Sequence, residues 1–142
     1  MRIKLEILND DHKIKSYLRN IMIIKSEKLK KAILTALADK EMLDILNESM
    51  DNLVSGTDIV KKFDIPHSTA YRKIKWMIDN ELLVVVKMGF TDEGKKYSLF
   101  RSTIRSVNVS YKKNEVTVES SKNVDPIETT AENFFSLRDS DE

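Results

Sequence analysis

The feature that most constrains this chain is a pair of short helical patterns joined by a tight turn, between residues 57 and 79. In the first pattern, Ile59, Val60 and Phe63 recur at the spacing of one helix face. Thr57 precedes them and is a candidate N-cap, because its hydroxyl can accept a hydrogen bond from an amide of the first turn. This pattern predicts a short helix with one face against a core.

The turn and the second helix follow directly. Asp64 tolerates left-handed backbone angles better than most residues, and Pro66 sets φ for the start of the next helix. Beyond them, apolar and polar residues lie on opposite sides of a helix, which predicts a helix-turn-helix. The inward residues are Ala70, Ile74 and Met77, and the outward residues are Ser68, Arg72, Lys75 and Asp79.

A β-ribbon is predicted after the second helix. Leu82 to Met88 is a mostly β-branched run, residues 89–96 contain turn residues and end in two lysines, and residues 97–104 form a returning strand. Hydroxyl and basic residues on a helix also fit a solvated face, but the ribbon favours a winged helix, which typically lays its second helix in the DNA major groove. The wing, residues 89–96, would then lie at the backbone or minor groove. The candidate DNA contacts are His67, Ser68, Thr69, Tyr71, Arg72, Lys75, Lys95, Lys96 and Arg101.

From about Lys28 to Ile104, the chain resembles archaeal and bacterial winged-helix regulators related to the arsenical-resistance repressors. The resemblance is clearest over Leu37–Leu46 and Ile65–Ile74. It implies a sequence-specific DNA-binding homodimer that controls transcription. The family usually has Arg where Met42 stands, so no role of that Arg carries over. The alternative function is a winged-helix protein-interaction module within transcription or processing machinery.

The residues before this unit predict a strand and three helices. Met1–Leu8 alternates with a period of two, Asp10 or Asp11 begins a helix that continues to residue 24, and Ser26 and Asp39 are candidate N-caps of the next two helices. The apolar side of the first of these helices fits either the core or a dimer face. Its residues are Ile14, Tyr17, Leu18, Ile21 and Ile24.

The residues after the ribbon predict a second hairpin and a helix. Residues 107–111 and 116–118 alternate around a turn, and we expect the Met1–Leu8 strand to pair with this hairpin. Residues 120–124 are polar, as in a linker. Asp125 then begins an amphipathic helix that would dock on its own domain, a twin subunit or another protein.

Together these elements predict an α+β fold, a winged helix-turn-helix domain with an added hairpin and terminal extensions. The expected regions are an N-terminal strand and helix, 1–25, the DNA-binding domain, 26–104, the hairpin, 105–120, and a C-terminal helix, 125–138. The total length of 142 residues fits one small domain with appendages.

Charge is unevenly distributed along a chain whose net charge is only +1. Residues 56–105 contain ten Lys and Arg against six Asp and Glu, a balance of +4, whereas residues 125–142 contain one Arg against six acids. The predicted DNA-binding unit is thus the basic part. Its modest excess favours a reader of particular sites over a non-specific binder, whose affinity comes from neutralising many phosphates.

The motifs of other functional classes do not occur in the sequence. With no cysteine and only two histidines, far apart, it offers no disulfide, thiolate metal site or Cys nucleophile, and no Gly-rich phosphate loop is present. We therefore expect no enzyme activity, no metal and no cofactor. The longest apolar runs are far too short to span a membrane, which predicts a cytoplasmic protein.

Overall fold

The order of helices and strands is that of a winged helix followed by a second hairpin. The computed structural model describes residues 21–123. Its helices are α1 (Glu27–Leu37), α2 (Lys40–Asp51), α3 (Gly56–Phe63) and α4 (His67–Asp79). Its strands are β1 (Ile21–Ile23), β2 (Leu83–Phe90), β3 (Lys96–Ser102), β4 (Ile104–Lys112) and β5 (Glu115–Lys122).

The fold is α+β, as the sequence predicts. The Met1–Leu8 strand, the residues Ile14, Tyr17 and Leu18, and the helix expected over 125–138 lie outside the described residues. Among residues 21–123, no helix is both long enough and apolar enough to cross a membrane.

Side-chain caps start the first three helices. The predicted caps of α1 and α2 are confirmed, since Ser26 and Asp39 each accept a hydrogen bond from an amide of the first turn. For α3 the predicted cap, Thr57, is wrong. Ser55 accepts from the amide of Asp58 at 3.2 Å, and the Asp58 carboxylate accepts from the amide of Ser55 at 2.9 Å. This reciprocal capping box starts α3 at residue 56 and leaves the Thr57 side chain exposed.

The turn between α3 and α4 has the predicted left-handed residue. Asp64 ends α3 with φ 52° and ψ 45°, and Pro66, with φ −54°, immediately precedes α4. The inward residues of α4 are also confirmed, because Ala70, Ile74 and Met77 are all buried. They belong to one core that includes residues from all four described helices and from the strands.

The β-ribbon formed by β2 and β3, which carries the wing, residues 89–96, at its tip, is fixed to the helical core at its base. Phe100 of β3 is buried and exchanges two backbone hydrogen bonds with Val54, of 3.1 Å and 2.9 Å, just before α3. A second sheet has the strand order β1-β5-β4. The predicted second hairpin is confirmed as β4 and β5, joined by Lys113 and Asn114, both with positive φ.

The sheet corrects two sequence-based predictions. Ile21–Ile23, expected in a helix, pairs with Glu119–Ser121 of β5. The apolar, largely β-branched run suits a strand, and β5 offers it an edge. Ile24 is buried in the chain's own core, and its amide donates to the carbonyl of Val118 at 2.8 Å. The dimer face expected of the apolar set that includes Ile24 stays a prediction. The predicted linker is also wrong over Ser120–Lys122, which belongs to β5.

Candidate nucleic-acid interface

The exposed side of α4 carries two cationic side chains without a countercharge. Ser68, Arg72 and Lys75 are spaced at i, i+4 and i+7, and all three are exposed. Among residues 21–123, Arg72 and Lys75 have no ion-pair partner. Their charges are therefore not neutralised by the described part of the chain, and they are open to an anionic partner.

Lys73, on the same helix, is in a different position. Its Nζ donates to both carboxylate oxygens of Asp39, at 2.9 Å and 2.7 Å, and to Glu41 at 3.1 Å, and its side chain is only 11% exposed. Hydrogen bonding to Lys73 is the main cause that lowers the pKa of Asp39, and the same bond raises the pKa of Lys73. The ion pair therefore joins α4 to the start of α2 and fixes the helix from its inner side.

Tyr71 links the two helices of the helix-turn-helix. Its ring stacks on that of His67 at a centroid distance of 4.2 Å, and its hydroxyl lies 3.4 Å from Oγ1 of Thr57. A Cβ added at Gly56 would lie 2.6 Å from Cζ of the ring. The ring therefore packs on the first residue of α3, which only glycine permits without a shift, while 39% of Tyr71 stays exposed.

The wing places its lysines at and beside the tip. The amide of Lys95 donates to Oγ1 of Thr91 at 3.0 Å, and Gly94 has φ 83°. Lys96 is paired across the ribbon with Phe90, and its Nζ lies 6.0 Å from the centre of that ring. Both lysines are exposed, and no ion pair joins them to another described residue.

A groove of about 790 Å³ lies between α4, the start of α3 and the wing. It brings together five of the nine predicted contacts: His67, Tyr71, Lys75, Lys95 and Lys96. The other four do not line it. Ser68 and Arg72 are exposed on α4, Thr69 is half-buried, and Arg101 is half-buried opposite Val84 at the base of the wing.

Twelve of the seventeen residues that line the groove were not among the predicted contacts, and they include Thr57, Met88 and Tyr97. Tyr97 pairs with Gly89 across the ribbon, and a Cβ at Gly89 would lie 2.3 Å from the Tyr97 ring. A glycine opposite an aromatic residue is the sequence signal that indicates such packing in a ribbon. For Thr57, the signal is the capping box at residues 55 and 58, which leaves the Thr57 hydroxyl without a capping role.

The groove has the chemistry of a surface for a polyanion. Lysines border it on both sides, and tyrosines supply hydroxyl donors between them. Among residues 21–123, no group of three or more His, Cys, Asp or Glu side chains is arranged to hold a metal ion. Arg72 and Lys75 give the exposed side of α4 cationic groups that suit the phosphate backbone of duplex DNA. At the tip of the ribbon Asp92 and Glu93 balance Lys95 and Lys96, so the tip adds cationic groups but no net charge.

Comparison with known proteins finds similarity to a solved structure. No protein-family model and no curated protein matches the chain. HlyU from Vibrio cholerae is similar in structure, with 17% sequence identity and a TM-score of 0.38, and the match covers 80% of this chain and 95% of that one. The winged-helix assignment rests on the helices, turn and ribbon of this chain.

Proposed function

We propose that this chain is a sequence-specific DNA-binding transcriptional regulator that acts as a homodimer. In this proposal α4 enters the major groove, and the wing, residues 89–96, lies at the backbone or minor groove. The single observation that carries it is the pair Arg72 and Lys75, two exposed cations with no countercharge among residues 21–123. The neighbouring Lys73 is fully engaged by carboxylates, so the helix separates an anchoring side from a binding side.

The two cations suit different parts of a duplex. The guanidinium of Arg72 can pair with O6 and N7 of a guanine through two hydrogen bonds, which is the commonest specific contact in the major groove. Lys75 lines the groove towards the wing, where it would meet the phosphate backbone together with Lys95 and Lys96. Affinity and specificity would therefore come from different side chains.

A two-fold symmetric pair of chains would extend the reading length. One helix in the major groove contacts only a few base pairs, and a dimer reads two half-sites about one helical turn apart. We therefore expect the preferred DNA site to be palindromic, with each half-site contacted by one α4.

A winged-helix protein-interaction module is the second candidate. It is favoured by the apolar exposure of the wing, where Val84, Val86, Met88 and Phe90 are between 40% and 61% exposed. A bulge between Val85 and Lys87 places Val84 on the face of the ribbon opposite to Met88 and Phe90. The adjacent pair Met88 and Phe90 is therefore the part that resembles the contiguous apolar patches of protein-binding surfaces. A partner protein bound along this face of the ribbon would cover both side chains.

The deciding experiment is a DNA-binding titration with genomic fragments at several salt concentrations. A regulator should select certain fragments over an excess of competitor DNA, and the logarithm of its affinity should fall linearly with the logarithm of the salt concentration. Selection that is lost in Arg72→Ala supports the proposal. Uniform weak binding to every fragment, or no binding at low salt, would favour the interaction module.

A further inference from the structure

Strand β4 forms one edge of the second sheet. In the strand order β1-β5-β4, β4 pairs only with β5 among the described residues. A bulge lies between Ile104 and Ser106, and pairing is then regular to Lys112. Edge strands usually carry proline, lysine or a bulge that prevents further pairing. Between Ser106 and Tyr111 there is no such device, so no residue of the range 21–123 prevents another strand from pairing with this edge of β4.

The same strand leaves apolar surface beside its open edge. Val109 pairs with Val118 and Tyr111 pairs with Val116, so these side chains and Val107 share one face of the sheet. Val118 in the central strand is fully buried, but Val109 is 46% exposed and Tyr111 is 71% exposed. The chain's core therefore covers the middle of this face and not its β4 side.

The turn of the hairpin determines which backbone groups point outward. Lys112 and Glu115 flank a two-residue turn, and such flanking residues exchange backbone hydrogen bonds. Because orientation alternates along a strand, Val107, Val109 and Tyr111 direct their N–H and C=O groups to the free edge. The residues with apolar side chains on this face are therefore also those whose backbone groups seek a partner.

We propose that a second copy of this chain pairs with β4, strand to strand and antiparallel, across a two-fold axis at Val109. Val109 then faces the partner's Val109, and Val107 faces the partner's Tyr111. In this register the segment Ser106–Lys112 of one copy lies antiparallel to the same segment of the other copy. At Val107, Val109 and Tyr111, the N–H of each copy donates to a C=O of the other.

Side chains favour a twin of this strand as the occupant. The valine–tyrosine pairs are of the aromatic and β-branched type that stabilises adjacent strands, and each occurs twice by symmetry. The only charge in the segment, Lys112, faces Ser106 of the other copy, so no like charges oppose each other within the segment. The next pair outward places Arg105 opposite Lys113, beyond the regular pairing. The inference rests on the homodimer of the proposed function and gives it a surface among the described residues.

Sedimentation velocity of the full chain tests the pairing through Val109→Lys, which places a charge at the axis. The wild-type protein should sediment as a dimer, and the variant should dimerise at least 10-fold more weakly. The matched control is Val84→Lys, because Val84 is 47% exposed and lies on the wing instead. It should sediment as the wild type does. Circular dichroism should show that both variants are folded.

Each other outcome overturns the inference. A dimer that survives Val109→Lys places the interface elsewhere and leaves the proposed homodimer standing. A wild-type monomer overturns both the strand pairing and the homodimer, while DNA titration of the same sample decides separately whether the chain is a DNA reader. A monomer whose melting temperature falls in Val109→Lys would indicate that the chain's own residues, such as Met1–Leu8, cover this edge.

Cross-linking gives a second test, because the chain contains no cysteine. In the proposed register the two Cα atoms at position 109 are about 5.5 Å apart, which is within the range of a disulfide. Val109→Cys should therefore form a covalent dimer on mild oxidation. Asn47→Cys, at an exposed position of α2, should form no covalent dimer under the same conditions. Equal cross-linking of the two variants would overturn the register.

Discussion

Lys73 and Lys75 are two residues apart on α4, but they belong to different regions of the molecule. Lys73 is on the inner side, 11% exposed and held by the carboxylates of Asp39 and Glu41 at the start of α2. Lys75 is on the outer side, exposed, with no ion-pair partner among residues 21–123. The difference shows that the role of a basic residue on this helix is decided by what lies opposite it, and not by residue type.

The inner and outer sides of α4 should differ in what a substitution changes. Changes on the inner side of α4 should alter the free energy of unfolding, since they remove packing or an ion pair. Changes on the outer side should alter DNA affinity and leave the free energy of unfolding nearly unchanged, because exposed side chains contribute little to stability.

The largest effect is expected from Met77→Ala on the inner side. Met77 is fully buried, and truncation of such a side chain leaves a cavity, so the free energy of unfolding should fall by about 2–5 kcal/mol. Urea denaturation followed by circular dichroism measures it. The folded variant should bind DNA with the wild-type site preference. A loss below about 1 kcal/mol would mean that this side of α4 is not the packed side.

Arg72→Ala should have the next largest effect, on the outer side. If Arg72 pairs with a guanine, its loss should reduce discrimination at that base pair by about 1–3 kcal/mol. Competitive titration with single-base variants of the preferred site measures this. Arg72→Lys is the matched control, since it keeps the charge but not the bidentate geometry, and it should restore affinity more than specificity. Wild-type discrimination in Arg72→Ala would remove this side chain from the reading surface.

Lys73→Met tests the anchoring role and should lower the free energy of unfolding by about 1–2 kcal/mol, because charged hydrogen bonds are lost at a partly exposed site. Lys75→Met is the matched control on the same helix, and its stability should stay within about 0.5 kcal/mol of the wild type. Equal losses in the two variants would break the comparison between the two lysines.

The effect of Lys73→Met should depend on pH. The folded-state pKa of Asp39 is lowered, so its contribution is present above the unfolded pKa and is lost as pH falls through the folded one. The pKa of Lys73 is raised, so its contribution is lost only as pH rises through that folded value. Urea denaturation across pH should show the largest difference from wild type at neutral pH and a smaller one in acid. A difference that grows in acid would contradict the ion pair.

The smallest effect is expected at the wing. Replacing both Lys95 and Lys96 by alanine should weaken binding to all DNA sequences alike and make the salt dependence shallower by up to roughly two units, about 0.9 for each lost phosphate contact. Titrations at several salt concentrations measure the slope. The matched control is Lys87→Ala, an exposed lysine of the same ribbon that does not line the groove. An unchanged slope in the double variant would show that the tip stays away from DNA.

Local patterns predicted most of the fold. The caps Ser26 and Asp39, the left-handed Asp64, the buried stripe of α4 and both hairpins depend on residues close in sequence, and each is confirmed. Periodicity reports which face of an element is buried, and burial in a small domain follows that pattern.

The errors and omissions come from interactions that periodicity does not encode. Ile21–Ile23 has apolar residues that fit either a helix or a strand, and pairing with β5, about 100 residues away in sequence, decides between them. The bond from Lys73 to Asp39 spans 34 residues, so no local pattern distinguishes Lys73 from Lys75. The packing of Tyr71 on Gly56 was missed for the same reason.

That contact between Tyr71 and Gly56 makes the position of one side chain depend on the size of another residue. Position 56 has room for a hydrogen atom only, because the tyrosine ring occupies the space where a methyl group would stand. A methyl group at position 56 would displace the end of the Tyr71 side chain, which is 39% exposed and can rotate towards solvent. The ring would then lose its position beside His67 and Thr57, so the size of residue 56 decides where the Tyr71 hydroxyl lies at the edge of the groove.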